Sequence, residues 1–338
     1  MLTVSVVIPV YRAEQTLREL HQQLAAAMAQ ITPVFEVIFV EDGGDDGSWP
    51  IIEDLVRADR RVRGIRMSRN YGQHNALLCG IRAARYEVIV TMDDDLQHPV
   101  SEIALLLAAL TPDTDVVYGT PDQERHGFLR DLASRLIKIA LSRQMSAETA
   151  RNVSAFRTFR TRLREGFSAY RSPSVSIDVL LTWATSRFKA IKVRHAPRAA
   201  GVSGYTLGKL IWHAFNLMTG FSTLPLQVAS VVGFVFMLFG MLVLAYVLVH
   251  YLFYGSAVPG FAFLASIITI FSGAQLFALG IFGEYLARMH FRSMDRPPYV
   301  IGETAEPTLD AQEAGRAPPD PTGAGDRAPS APTLPAQP

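Results

Sequence analysis

The chain has 338 residues, with 32 Lys and Arg against 31 Asp and Glu, and a single cysteine. The even charge excludes a general attraction to nucleic acid, and a lone Cys79 excludes an intrachain disulfide framework and fits a reducing compartment. The length leaves room for one full catalytic domain and a further element. Met1 leads straight into a strand with no basic stretch before it, so no secretory leader is expected.

Strand and helix alternate along the first part of the chain. Strands are predicted at residues 3–10, 35–41, 62–67, 86–92 and 115–118, with helices beginning at Glu14, Ser48, His74 and about Ser101. Near-continuously apolar strands joined by helical crossovers predict an α/β fold with a mostly parallel sheet covered on both faces. In such sheets ligands bind beyond the carboxyl ends of the strands. The residues with chemistry fall there: Pro9-Val10-Tyr11, Glu41-Asp42-Gly43-Gly44, Ser68-Arg69-Asn70 and Asp93-Asp94-Asp95. The first turn, Pro9-Val10-Tyr11-Arg12, has no glycine, and no G-x-x-x-x-G-K-[ST] loop is present, which argues against dinucleotide-dependent hydride transfer.

Two acidic strand ends stand out. Glu41 and Asp42 precede glycines and have two open readings: acceptors for a base N–H or ribose hydroxyls, or a tight turn with Ser48 capping a helix. Asp93, Asp94 and Asp95 set three like charges directly behind an apolar strand, which costs free energy unless a cation shares them. A hard divalent ion held by carboxylates and substrate phosphates fits this donor set better than the alternative, a solvated turn before the next helix.

Further along, Leu129, Leu132, Leu136, Ile137 and Leu141 form an apolar stripe that suits a core or a surface helix equally. Leu207, Leu210, Ile211, Ala214, Leu217 and Phe221 form another that leads into a long apolar stretch, so an interfacial helix is expected there. Between Lys209 and Glu284 there is no Asp, Glu, Lys or Arg. That window holds apolar runs at about 226–254 and 261–282, each long enough for a bilayer core of roughly 30 Å. Arg194, Arg198 and Lys209 before it and Arg288, Arg292 and Arg296 after it put both flanks on the cytoplasmic side by the positive-inside rule. The expected organisation is a cytoplasmic catalytic domain at 1–205, an amphipathic interfacial helix at 206–224 and a transmembrane hairpin at 225–287. A juxtamembrane segment at 288–302 and a disordered Pro/Ala-rich tail at 303–338 follow. Gly233, Gly240, Gly273 and Gly280 would let helices approach within the hairpin or between protomers, so a homo-oligomer is one expectation.

These segments together resemble the inverting family 2 glycosyltransferases. They are similar in particular to the polyprenyl-phosphate glycosyltransferases, the group of dolichol-phosphate mannose synthase and its bacterial two-helix relatives. The resemblance is carried by Ser5-Val6-Val7-Ile8-Pro9-Val10-Tyr11, Ser68-Arg69-Asn70-Tyr71-Gly72-Gln73, Met92 to Pro99, Phe156-Arg157, the run from Arg198 to Tyr205, Gly283-Glu284-Tyr285-Leu286 and Arg296-Pro297-Pro298-Tyr299. It spans about residues 3–302 and implies a GT-A-type sheet.

It also implies roles. Asp93 and Asp95 match the D-x-D pair and, with Gln97, would hold Mg²⁺ or Mn²⁺. Pro9, Tyr11, Glu41, Asp42, Arg69 and Asp93 match nucleotide-binding positions. Arg157, Arg198, Ser203 and Lys209 match positions that handle the acceptor phosphate, with Arg157 counted as catalytic beside the two aspartates. The reaction implied is inverting, metal-dependent transfer of one sugar from a nucleotide diphosphate donor to a polyprenyl phosphate, with undecaprenyl favoured, at the cytoplasmic face of the membrane. Two departures matter. Glu41 stands where many members have Asp, and Ala155 stands where the group often carries an acid viewed as the catalytic base. A phosphate monoester has a second pKa of about 6 and is already largely dianionic at pH 7, so a phosphate acceptor needs no such base. Two alternatives follow: an inactive membrane-tethered nucleotide-sugar binder, or a processive polysaccharide synthase. The second is disfavoured because no Trp follows Gln-x-x-Arg.

Overall fold

A computed structural model describes residues 2–121, 153–173, 175–196, 224–254 and 260–307. Among the described residues eight strands form one sheet, in the order β7 (Phe188–Val193), β5 (Val116–Pro121), β6 (Arg157–Arg160), β4 (Val88–Thr91), β1 (Val4–Val10), β2 (Phe35–Glu41), β3 (Val62–Met67) and β8 (Ile301–Ala305). The centre is parallel: β1 (Val4–Val10) lies between β2 (Phe35–Glu41) and β4 (Val88–Thr91), and β2 pairs with β3 (Val62–Met67). Every residue of β1 and β2 is buried, as expected of strands covered on both faces.

The covering helices bury single stripes. On α1 (Leu17–Ile31), Leu17, Leu20, Leu24 and Met28 recur at helical spacing and are fully buried. Each contributes about 1.5–3 kcal/mol by leaving water. With α2 (Ser48–Ala58), this helix covers one face. On the other lies α3 (Gln73–Ala83), which approaches β1 closely because a Cβ at Gly80 would sit 2.4 Å from Val7 Cγ1. That approach sets the start of α3, Gln73, at the carboxyl end of the sheet.

The elements between α4 and the two long apolar helices were not read from the sequence, apart from a fragment of β5. After α4 (Ile103–Ala108) come β5 (Val116–Pro121), the antiparallel β6 (Arg157–Arg160), a 3₁₀ segment (Thr161–Phe167), α5 (Ile177–Ala184) and β7 (Phe188–Val193). The expected mostly parallel, helix-covered sheet is thus present, extended by antiparallel strands on each side.

Two long helices follow, α6 (Leu224–Tyr254) and α7 (Phe261–Ser293), whose windows Pro225–His250 and Ile270–Ala287 are long and apolar enough to cross a membrane. They meet through Phe236 and Phe239 against Phe271.

One boundary needs correcting. The tail expected to be disordered from 303 instead begins with β8 (Ile301–Ala305), which pairs antiparallel with β3 as an edge strand. Glu306 beyond it meets Arg63 at 2.8 Å and Arg85 at 3.2 Å, and Tyr299 packs against the core under the Arg82 guanidinium. The chain therefore returns from α7 into the catalytic sheet. Short and only partly apolar, this segment has no strand-like periodicity of its own and takes its form from the open edge of β3. The expected helix at 128–141 and the interfacial helix at 206–224, up to Thr223, lie outside the described residues.

Candidate functional site

The carboxyl ends of β1, β2 and β4 open into a cleft of about 290 Å³. It is lined by Pro9, Val10 and Tyr11 from β1, Asp42 after β2, Asn70, Gly72 and Gln73 after β3, and Asp93 to Asp95 after β4. Residues expected at the strand ends come together here because parallel strands all deliver their following loops to one edge.

The first acidic end braces the loops around it. Asp42 is buried and accepts the backbone N–H groups of Tyr71 at 2.7 Å and Gly72 at 2.8 Å, fixing the β3–α3 loop to β2. Burial raises its pKa, against the pull of those two bonds. Glu41 is turned away from the cleft: it accepts the Gly44 N–H and lies 3.4 Å from Arg66, with burial raising its pKa. Its expected contact with a nucleoside is thus replaced by support of the turn. That turn admits only glycine at 43, where φ is +63° and a Cβ would meet Arg69 and Asn70 backbone at 2.3–2.4 Å. Arg69 does not line the cleft; its guanidinium lies 4.6 Å from the Tyr71 ring centroid.

The second acidic end is crowded. Asp93 accepts from Gln73 Nε2 at 2.6 Å, Asp94 from the Tyr11 N–H at 3.1 Å, and Asp95 from the Gln97 N–H at 3.2 Å. Leu96 turns the chain with φ of +61°. Burial, and then the charges of Asp93 and Asp95, push Asp94 up to about 7 despite the Tyr11 bond. His98, behind them, stacks on Phe156 at 5.1 Å and is pushed down to about 4 by burial and by the neighbouring His195.

A divalent cation fits these hard oxygen donors and would relieve the crowding that lifts Asp94. Among the described residues no three His, Cys, Asp or Glu side chains are placed to hold one unaided. This suits an ion that takes one or two carboxylates and draws other ligands from substrate phosphates.

Arg157 is not brought to the cleft, contrary to the expected catalytic and phosphate-binding role. It shares the strand face of Phe159, under α5, where it is 2 % exposed and ion-paired to Asp178, which also accepts the Tyr118 hydroxyl at 3.0 Å. A buried guanidinium requires a carboxylate, and Asp178 supplies it from 21 residues away. Arg198, Ser203 and Lys209 lie outside the described residues. Sequence reasoning placed Asn70 at the strand-end edge without giving it a role, and missed Gln73 as a cleft residue, although both fell inside the quoted Ser68 to Gln73 stretch.

The Glycosyl transferase family 2 model matches residues 5–171. The chain is 34% identical over 318 residues to the undecaprenyl-phosphate 4-deoxy-4-formamido-L-arabinose transferase of Pseudomonas fluorescens (strain SBW25), covering 93% of this chain and 92% of the relative. It is 33% identical over 301 residues to the transferase of the same name from Proteus mirabilis (strain HI4320), covering 88% and 92%. Glucosyl-3-phosphoglycerate synthase from Mycobacterium tuberculosis, crystallised with Mn²⁺ and uridine-diphosphate-glucose, superposes with a TM-score of 0.46 at 16% identity, over 64% of this chain and 77% of that one. With a cleft where the resemblance called for one and similarity along nearly its whole length, the chain belongs to the family 2 glycosyltransferases and is an enzyme of that class.

Proposed function

We propose that this glycosyltransferase moves one sugar, with inversion, from a nucleotide diphosphate donor to undecaprenyl phosphate at the cytoplasmic face of the membrane. The observation that carries the reading is that similarity to undecaprenyl-phosphate sugar transferases runs over 93% of the chain, through cleft and hairpin together.

In this reading Pro9, Tyr11, Asp42, Asn70 and Gly72 hold the nucleoside in the cleft they line. Asp93 and Asp95, with Gln97, hold Mg²⁺ or Mn²⁺, which when bound neutralises charge gathering on the departing diphosphate. The bond from Gln73 Nε2 holds the Asp93 carboxylate, and the bond from the Gln97 backbone N–H holds that of Asp95. Arg198, Ser203 and Lys209 take the acceptor phosphate, a task that suits the planar guanidinium fork. The acceptor attacks as a dianion, so Ala155 costs the reaction nothing. The carbonyl of Ala155 serves the fold instead, accepting from Thr91 Oγ1 at 2.8 Å.

The return of β8 to the catalytic sheet supports a hairpin with both ends on one side, and the flanking arginines support the cytoplasmic side. We take uridine as the base from the bacterial resemblance, and the 4-deoxy-4-formamido-L-arabinose of the relatives' name as the first sugar to try. The test is turnover of the purified chain in detergent with undecaprenyl phosphate and a panel of nucleotide sugars, with Mg²⁺ or Mn²⁺ and again with EDTA. The expected result is a lipid-linked sugar from one donor, abolished by the chelator. No product from any donor, with nucleotide binding intact, overturns the reading in favour of an inert binder.

A further inference from the structure

A groove of about 410 Å³ lies away from the cleft, between the 3₁₀ segment and α5, lined by Glu165 to Ser172 and Trp183. Two features are unusual for a solvent-facing surface. Trp183 is 49% exposed, its ring set edge-on against Tyr170 at 5.5 Å. Beside it Arg171 is 70% exposed, and its Nη1 lies 3.6 Å from Asp295.

That last contact fixes where the groove sits. Asp295 follows the end of α7 at Ser293 by two residues, and the apolar window of α7 ends at Ala287. Six residues of helix rise about 9 Å, close to the depth of one headgroup layer, roughly 5–8 Å beyond the hydrocarbon. A large aromatic with a polar edge and a long cationic side chain, side by side at that depth, match the groups that settle at a membrane interface. At such a depth an aromatic body settles among headgroups and a guanidinium meets lipid phosphates. An exposed ion pair such as Arg171–Asp295 is worth little, so Arg171 is free to exchange Asp295 for a phosphate.

We propose that the Tyr170–Arg171–Trp183 groove is a membrane-contact surface, seated in the phospholipid headgroup layer beside the exit of α7. It gives the catalytic domain a second point of attachment and so limits its rotation about the hairpin. The inference rests on the reading of α6 and α7 as membrane-spanning.

The test uses the full chain in vesicles of phosphatidylethanolamine and phosphatidylglycerol. Trp49→Phe and Trp212→Phe leave Trp183 as the sole tryptophan, and Phe239→Trp with Trp183→Phe on that background reports the hairpin. Cooperative unfolding matching the parent establishes that each variant is folded. Loss of Trp183 emission with a nitroxide high on the lipid chain, and resistance to aqueous iodide, supports the proposal. Quenching of Trp183 by iodide alone, while Trp at 239 responds to lipid nitroxide, overturns it and leaves the hairpin standing. Shielding of Trp183 from both quenchers overturns it in favour of contact with a second copy of the chain. Failure of Trp at 239 to respond to lipid nitroxide removes the membrane-spanning reading and this proposal with it.

Discussion

The two acidic strand ends of the cleft look alike in sequence and behave oppositely in the fold. After β2, Asp42 spends both oxygens on the Tyr71 and Gly72 N–H groups, and Glu41 is closed between Gly44 and Arg66. After β4, Asp93 accepts from Gln73, Asp94 from the Tyr11 N–H and Asp95 from the Gln97 N–H, and burial with the two flanking charges pushes Asp94 up to about 7. The first end ties the loops around the cleft to β2, although burial still raises the pKa of both its carboxyls. The second sets three carboxylates side by side, a crowding that costs free energy and that a bound cation would relieve.

The sharpest way to break this contrast is Asp95→Ala, expected to lower turnover at least ~100-fold at saturating metal, since even partners one shell out from a metal cost 10–100-fold. Steady-state kinetics that recover with excess Mn²⁺ would remove Asp95 from the metal. Gln73→Ala, acting one step behind Asp93, should cost about tenfold with a matching rise in the metal concentration needed.

At the framework end, Asp42→Asn replaces one acceptor oxygen with an amine facing an N–H. It should destabilise the chain by about 1–3 kcal/mol in thermal or urea unfolding, with or without metal. Asp94→Asn makes the opposite prediction. It keeps an oxygen for Tyr11 and removes the most crowded charge, so unfolding in EDTA should show equal or higher stability while metal affinity falls. Equal losses in both variants would erase the distinction between the two ends.

A third carboxylate calibrates the scale. Asp59 is partly buried, which alone would raise its pKa, but the bonds from Arg61 and His21 draw it down to about 2. Its folded pKa lies below the unfolded value of 3.8, so its stabilisation is full above that value and fades as pH falls towards 2. In Asp59→Asn the acid limb of the stability profile should flatten between pH 4 and 2.

Legibility followed the range over which each feature is encoded. The alternation of strand and helix, the cleft at the strand ends and the two apolar spans were readable because each depends on periodicity or length within one segment. The DxD-like run and Pro9-Val10-Tyr11 line one cleft because both stand at strand ends. Arg157 was misplaced because its orientation depends on β6 running antiparallel between β4 and β5, and its partner Asp178 comes from a helix with no motif to mark it. Asn70 and Gln73 were present in a quoted motif, but only the packing of α3 over Gly80 aims that loop at the cleft.

The sequence by itself determined the parallel core, the edge of the sheet that carries the chemistry, the acids at that edge and the apolar hairpin. These are local consequences of side-chain period, chain direction and the cost of burying charge. Only the tertiary structure decided which backbone groups Asp42 holds, that Arg157 is buried, and that residues 301–305 close the sheet at β3. Each of those outcomes is a choice of partner across a long loop. Such a choice is made by the sum of packing, desolvation and hydrogen bonding in the assembled fold, so no single segment carries it.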